Sequence, residues 1–346
     1  MKILFSGYHN PNFMSFTEYV ERAIVKLGHT LEIFDFRDWL IPGRIRNRFP
    51  FLNSWDMRRI NKDLIQRVKR FKPDLLLVSG GWTIFPETIS LIRDLSKIIT
   101  VNWIADFPLK FNDYLKVGPY YHYFFASGTD ALEEYRKAGH RNGYWLPFAC
   151  DPEIHKPLNL TEKEREKYSC DICFVGSLYS ERVEVLEKLS EFNLGIWGIG
   201  WERLPADSPL RKFVRGGIVE PKEWVKIFNA SKIVLNIIGG QCDVPYPIVD
   251  QIHMTNTKVF EILGCGAFQL VEKKKDVLRL FVPGEHLVCY ENIDDLKRLI
   301  PYYLKNSNER ERIAQEGYRE VIQKHTYLHR IKKMLTVIGK KIFESA

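Results

Sequence analysis

The stretch Asn256 to Gly266, NTKVFEILGCG, holds the densest set of residue types able to do chemistry in this chain. Asn256 and Thr257 are of the types that favour a helix N-cap. Lys258 then falls in the first helical turn, where a cation opposes the helix dipole and costs roughly a few tenths of a kcal/mol unless an anion is present. A phosphate there would be held by free N–H groups and the lysine together. Glu261 follows one turn later, on about the same side as Thr257 and Lys258. A carboxylate does not ligate phosphate, but it accepts two hydrogen bonds from a ribose diol. Gly264 and Gly266 stop the helix and let the chain turn into the next strand. A plainer alternative stands beside this one: Glu early in a helix is favourable with no ligand, and lysine on a helix surface is common.

Further candidates lie at strand ends. Gly176, Ser177 and Arg182 follow the strand CDICFV. A Gly-Ser turn feeding a helix offers N–H groups to a diphosphate and Arg182 adds charge, although an ordinary turn with a surface arginine looks the same. Ser6, Gly7 and His9 form the equivalent turn after the first strand, which makes His9 a candidate base or acceptor contact. Asp106 follows ITVNWIA, at a carboxyl end where such folds place catalytic carboxylates. It is the first candidate for a catalytic general base, against a turn aspartate before Pro108. Trp82, Trp103 and Trp201 suit stacking on a sugar or base, or plain core. Cys170 and Cys173 have metal-like spacing but no second pair, and they read as buried thiols on opposite faces of a strand. His325 and His329 are spaced for a helix-borne pair without a third ligand, so no metal is expected.

The elements that must position these residues alternate. Strands at KILFSG, LEIFDF, PDLLLVSGG, ITVNWIADF and YHYFFAS are interleaved with helices at 15–27, 55–71, 86–95 and 129–138. That pattern is βαβ, with a mostly parallel sheet covered on both faces. LPFACDPEIHKPLNLTEKEREKY, residues 146–168, combines prolines with a charged run and reads as an interdomain linker. The alternation then restarts, with strands at CDICFVGS, LGIWGIG, SKIVLNI, AFQLV and HLVCY. Helices are expected at 181–191, 221–229, 257–263, 294–306, 309–324 and 327–343. The expectation is an α/β chain of two Rossmann-like, doubly wound domains facing a cleft. The first covers 1–150 plus a C-terminal helix, about 328–346, packing back on it; the second covers 168–327.

Bulk composition agrees. The 346 residues are too many for one ordinary core, and 45% hydrophobic with 27% charged is a globular balance. No apolar run approaches the roughly 18 residues that span a bilayer. MKILFSGYHN reads as a first strand rather than a signal peptide, so a cytoplasmic protein is expected. The net charge of +8 has local density at 44–48, 58–72 and 332–341. Phosphorylated small molecules come first as partners, a membrane surface second and nucleic acid, for which no motif appears, last.

Several blocks of the second half resemble the glycosyltransferase domain of CgeB-type spore-maturation proteins and, more distantly, retaining family-4 glycosyltransferases. They are VLNI at 234–237, Asn256-Thr257-Lys258-Val259-Phe260-Glu261, Gly264-Cys265-Gly266, FVPGEHLVCYENIDDLKRLIPYYL, IAQEGYREVIQKHTYLHRIKKML and CDICFVGSLYSERVEVL. The resemblance spans about residues 145–335. It implies the GT-B fold and sugar transfer from a nucleotide-diphosphate donor to an acceptor hydroxyl. The second domain would hold the donor and the first the acceptor. It also implies Glu261 as the ribose ligand and Lys258 where the group has arginine, a point charge in place of a fork. His253, included in the donor site, stands where retaining enzymes have a second glutamate, so that glutamate's role does not transfer and the stereochemistry stays open. No cofactor and no metal are expected, with a UDP- or dTDP-sugar as donor. The acceptor would be a glycan, a lipid-linked molecule or a protein, and the basic surface allows peripheral contact with the inner membrane face. A GT-B nucleotide-sugar epimerase and a non-catalytic nucleotide-sugar or carbohydrate-binding relative are the alternatives.

Overall fold

The computed structural model describes residues 1–95, 97–104, 111–238 and 252–344, with backbone alone at 111–113 and 340–344. The chain divides into two units, Met1–Asn10 with Ser15–Pro147 and Arg330–Ala346, and Pro11–Met14 with Phe148–His329. Among the described residues, no helix is long and apolar enough to cross a membrane.

The first unit runs β1 (Lys2–Gly7), α1 (Phe16–Lys26), β2 (Thr30–Asp35), α2 (Gly43–Arg48), α3 (Pro50–Phe71), β3 (Leu75–Ser79), α4 (Pro86–Leu95), β4 (Ile99–Ile104), α5 (Phe111–Val117), β5 (Tyr123–Ala126), α6 (Thr129–Lys137) and β6 (Gly143–Trp145). Its strands are parallel, in the order β2-β1-β3-β4-β5-β6. β3 is buried at every residue, as a strand covered on both faces must be. α1 opens on a capping box: Ser15 is the cap, and the Glu18 carboxylate accepts its backbone N–H at 2.8 Å.

The second unit runs α7 (Glu162–Tyr168), β7 (Ile172–Val175), α8 (Ser180–Glu187), β8 (Leu194–Trp197), β9 (Val214–Gly216), α9 (Pro221–Ala230), β10 (Ile233–Asn236), α10 (Thr257–Gly264), β11 (Gln269–Glu272), α11 (Lys275–Leu280), β12 (Val288–Tyr290), α12 (Ile293–Lys305) and α13 (Ser307–Lys324). Its parallel order is β12-β11-β10-β7-β8-β9. The final helix, α14 (Tyr327–Glu344), passes into the first unit at Arg330. There Arg330 Nε donates to the Pro147 carbonyl at 2.8 Å, and Tyr123 donates its hydroxyl to the Ile338 carbonyl at 3.3 Å.

Each sheet reverses its growth once, between β1 and β3 in the first and between β7 and β10 in the second. Doubly wound sheets bind ligands beyond the strand carboxyl ends at such a reversal.

Several expectations change. The charged run read as linker contains α7, because Thr161 caps it and Glu164 returns the bond as a capping box. α2 was not anticipated, and α3 starts at Pro50 rather than Trp55, since proline suits the first helical position. α5, β6, β9 and α11 carry too little periodicity to stand out. His325 and His329 do not share a helix: α13 ends at Lys324, His325 is its C-cap, and α14 starts at Tyr327. Cys170 precedes β7 and so escapes its alternation; both thiols pack into one cluster with Trp197 and Trp224. Burial pushes both thiols above the usual cysteine range.

Candidate functional site

The residues singled out in the second unit gather at the β7/β10 reversal. β10 ends on Asn236, and Asn256 caps α10 by accepting the Val259 N–H at 3.2 Å. The two asparagines pair through their amides: Asn256 Nδ2 donates to Asn236 Oδ1 at 2.8 Å, and Asn236 Nδ2 to Asn256 Oδ1 at 3.1 Å. Asn236 Nδ2 also reaches Gln269 Oε1 at 3.0 Å, while Gln269 Nε2 donates to the Val259 carbonyl at 3.1 Å. Asn236 and Gln269 are buried. This network locks the start of α10 to β10 and β11, and a buried network with its members satisfied is stiff. The N-terminal pole of the helix is thereby held at the carboxyl end of the sheet.

A cavity of about 190 Å³ lies there, lined by Gly176, Arg182, Asn236, Ile237, Asn256 and Lys258 among others. Lys258 faces it and at the same time places Nζ 2.6 Å from Glu261 Oε2 and 3.5 Å from the Trp224 ring centroid. The Glu261 side chain is only 4% exposed. Burial alone would raise its pKa, but the Lys258 charge, with hydrogen bonds from Lys258 and Thr257, holds it below the usual carboxylate value. His155, from the segment before α7, lies close enough to feel both charges, and burial pushes its pKa down to about 4. Its Nδ1 accepts the Asp151 N–H at 3.1 Å, so the neutral ring carries its proton on Nε2. At neutral pH the cation opposite Glu261 is therefore Lys258.

The turn after β7 is used differently from expectation. The Gly176 N–H donates to the Trp197 carbonyl at 2.9 Å, so it is not open to a phosphate. Its carbonyl accepts from Trp201 Nε1 at 2.8 Å, which makes the buried Trp201 a structural brace. Arg182 Nη1 donates to the Ser177 carbonyl at 2.9 Å and Nη2 to the Ile237 carbonyl at 3.2 Å, which clamps the ends of β7 and β10. Its Nε is buried with no hydrogen-bond partner among the described residues. The glycines at the end of α10 and just beyond it also divide their work. A Cβ on Gly264 would meet His155 Cβ at 3.0 Å, so this residue admits the His155 segment, and Gly266, at φ +66°, makes the turn. His253 is half-buried before α10, and its carbonyl accepts the Asp276 N–H at 3.0 Å.

In the first unit His9 follows β1. Its Nε2 is 2.7 Å from Glu21 Oε1, and its Nδ1 is 3.5 Å from Asp35 Oδ2. Burial pushes Glu21 up, opposed by His9. Both ring nitrogens face carboxylates, so His9 is engaged rather than presenting a bare lone pair. A second cavity, about 320 Å³, is lined by Asp35, Arg37, Asp38, Trp39, Asp63 and Arg67 with Phe34. Arg37 lies over Tyr8 at 3.9 Å and near Trp82 at 5.4 Å. Trp103 is core, its Nε1 bonded to the Leu146 carbonyl. Asp106 lies outside the described residues. Sequence reasoning missed His155, Trp224 and Gln269. The only signal for Gln269 was a polar residue inside the apolar run AFQLV.

The comparisons with known proteins fall on this framework. Residues 180–336 match a family model described as glycosyl transferase-like. Spore protein CgeB of Bacillus subtilis (strain 168) is 22% identical over 275 residues, covering 76% of this chain and 82% of that protein. Among solved structures, Anabaena Alr3699/HepE in complex with UDP and glucose superposes with TM-score 0.66 at 11% identity, over 98% of this chain and 100% of that one. Sucrose-phosphate synthase from Thermosynechococcus elongatus does so with TM-score 0.72 at 9% identity over all of both chains. Two doubly wound units and a matching transferase domain define a GT-B glycosyltransferase. Within that class the chain is similar to the CgeB type.

Proposed function

We propose that the chain transfers a sugar from a nucleotide-diphosphate sugar to an acceptor hydroxyl, with the donor in the second unit and the acceptor in the first. The observation that carries this reading is the double engagement of Lys258, which lines the cavity and covers the buried Glu261. A diphosphate at the α10 N-terminus draws Nζ toward itself, and the released Glu261 carboxylate then accepts the two ribose hydroxyls. Asn256 and Thr257 set the helix pole, Arg182 adds charge beside the cavity, and His253 flanks the entry to α10. Fixed positive charge of this kind stabilises a departing diphosphate with no metal. The acceptor oxygen bonds to the anomeric carbon as the carbon–phosphate oxygen bond breaks. The diphosphate leaves with the electron pair, and the acceptor proton goes to a base, for which Asp106 and His9 are the candidates. The UDP-containing Anabaena neighbour favours a UDP-sugar over a dTDP-sugar. The acceptor is a glycan, a lipid-linked molecule or a protein, met in the cytoplasm or at the inner membrane face.

Thermal unfolding with UDP, dTDP, GDP, CMP and their sugars tests the reading. A ligand at about 100 times its Kd adds roughly 2.7 kcal/mol, a rise of several degrees at this size. UDP or dTDP and their sugars should give that rise; no rise with any nucleotide contradicts the proposal.

A further inference from the structure

Five of the exposed large apolar side chains, Leu40, Ile45, Phe49, Phe51 and Trp55, fall within sixteen residues of the first unit. Among the described residues, Phe49, Phe51 and Trp55 are the only exposed Phe and Trp side chains. The segment is held from beneath. Asp56, fully buried, accepts the Ile41 N–H at 3.0 Å and Arg59 Nε at 3.0 Å. Arg46 donates to the Ile41 carbonyl at 2.9 Å and stacks on Trp39 at 3.6 Å. The apolar groups are therefore presented by an anchored scaffold. α2 buries no residue at all, and a six-residue helix gains little from its own hydrogen bonds in water.

Charge is arranged with this apolar surface. Residues 40–62 carry six basic side chains, Arg44, Arg46, Arg48, Arg58, Arg59 and Lys62, against one acid, the buried Asp56. On α3, Phe51, Trp55, Arg58 and Lys62 follow at spacings of four, three and four, so they share the exposed face. The opposite face, with Ile60, Leu64 and Val68, is buried. Exposed aromatic and aliphatic groups interleaved with arginine and lysine match the apolar boundary and phosphate layer of an anionic bilayer. Arg59 is paired with Asp56 and Asp63 and Arg46 is stacked on Trp39, which leaves Arg44, Arg48, Arg58 and Lys62; a protein partner would have to meet these four with an equally acidic surface. α14, the other basic helix, does not have this form, because Tyr327, Ile331, Met334 and Ile338 are already buried.

We propose that residues 40–62 dock the protein on an anionic membrane surface, with Phe49, Phe51 and Trp55 entering the interface and Arg44, Arg48, Arg58 and Lys62 meeting lipid phosphates. The proposal does not depend on the donor site. The full chain is sedimented with phosphatidylcholine vesicles and with vesicles in which about one lipid in four is phosphatidylglycerol. Wild type should sediment with the anionic vesicles only and be released by high salt. F49S/F51S/W55S should lower the bound fraction roughly tenfold. Serine is a favoured cap at position 49, so an unchanged circular dichroism spectrum is expected of this variant. Wild type remaining in the supernatant, or a folded triple variant sedimenting like wild type, overturns the proposal. So does a wild-type dimer that the triple variant makes monomeric while neither binds vesicles, which would assign the face to a second copy of the chain.

Discussion

The two sheet reversals of this molecule are built from opposite materials. At β7/β10 most polar groups are buried or half-buried and paired with one another: Asn236, Asn256 and Gln269 in one network, Lys258 on Glu261 in another. At β1/β3 the charges are half-buried, with His9 and Asp35 more open than Glu261, His9 between Glu21 and Asp35, and Arg37 lying on Tyr8. Charges shielded from water act strongly on one another and on a ligand, whereas exposed pairs are screened and contribute little. Under the proposed assignment, the second unit's shielded pairs suit a donor of fixed chemistry, such as a nucleotide diphosphate, and the first unit's pairs a more varied acceptor.

The sharpest break in this contrast comes from Lys258→Met. It leaves Glu261 as an unpaired buried carboxylate, so stability at pH 7 should fall by about 3–5 kcal/mol. Adding Glu261→Gln should recover most of the loss, as read by urea unfolding. An equal loss in the double variant would show that the pair is not the stabilising unit.

A pH series gives the next effect. His155 is depressed in the folded state to about 4 from an ordinary 6.5. The unfolded chain thus binds the proton first, and stability present at pH 7 is lost as pH falls from about 6.5 to about 4. The size is about 3 kcal/mol. The lowered pKa of Glu261 acts in the same direction below its ordinary 4.5. His155→Gln should flatten the curve between pH 6.5 and 4.5, and an unchanged slope would remove His155 from the account. Asn256→Ala should cost about 1–2 kcal/mol through the lost cap and also weaken nucleotide binding. The smallest effect belongs to the first unit: His9→Gln should change stability by under about 1 kcal/mol and leave nucleotide affinity within twofold, since its ion pairs are partly open to solvent.

The fold was legible because continuous apolar strands such as LLLVS and amphipathic helices such as α1 carry their period in the sequence. The short elements α2, α5, α11 and β9 were not, being too brief to show one. At the site, the Asn256 cap and the Lys258–Glu261 spacing could be read from helix geometry alone. That Lys258 covers Glu261 could not, because it depends on Trp224 and His155, distant in sequence and placed by packing. The Gly176 turn looked like an anion site, yet its N–H is spent on β8, a fact only the sheet register reveals.

Calorimetric titration of UDP into wild type and Glu261→Gln tests the central claim most directly. Loss of a charged acceptor for the ribose diol should weaken binding by about 1.5–3 kcal/mol, roughly 10- to 150-fold, with the circular dichroism spectrum unchanged. Equal affinity for the two proteins would contradict the assignment of Glu261 to the nucleotide.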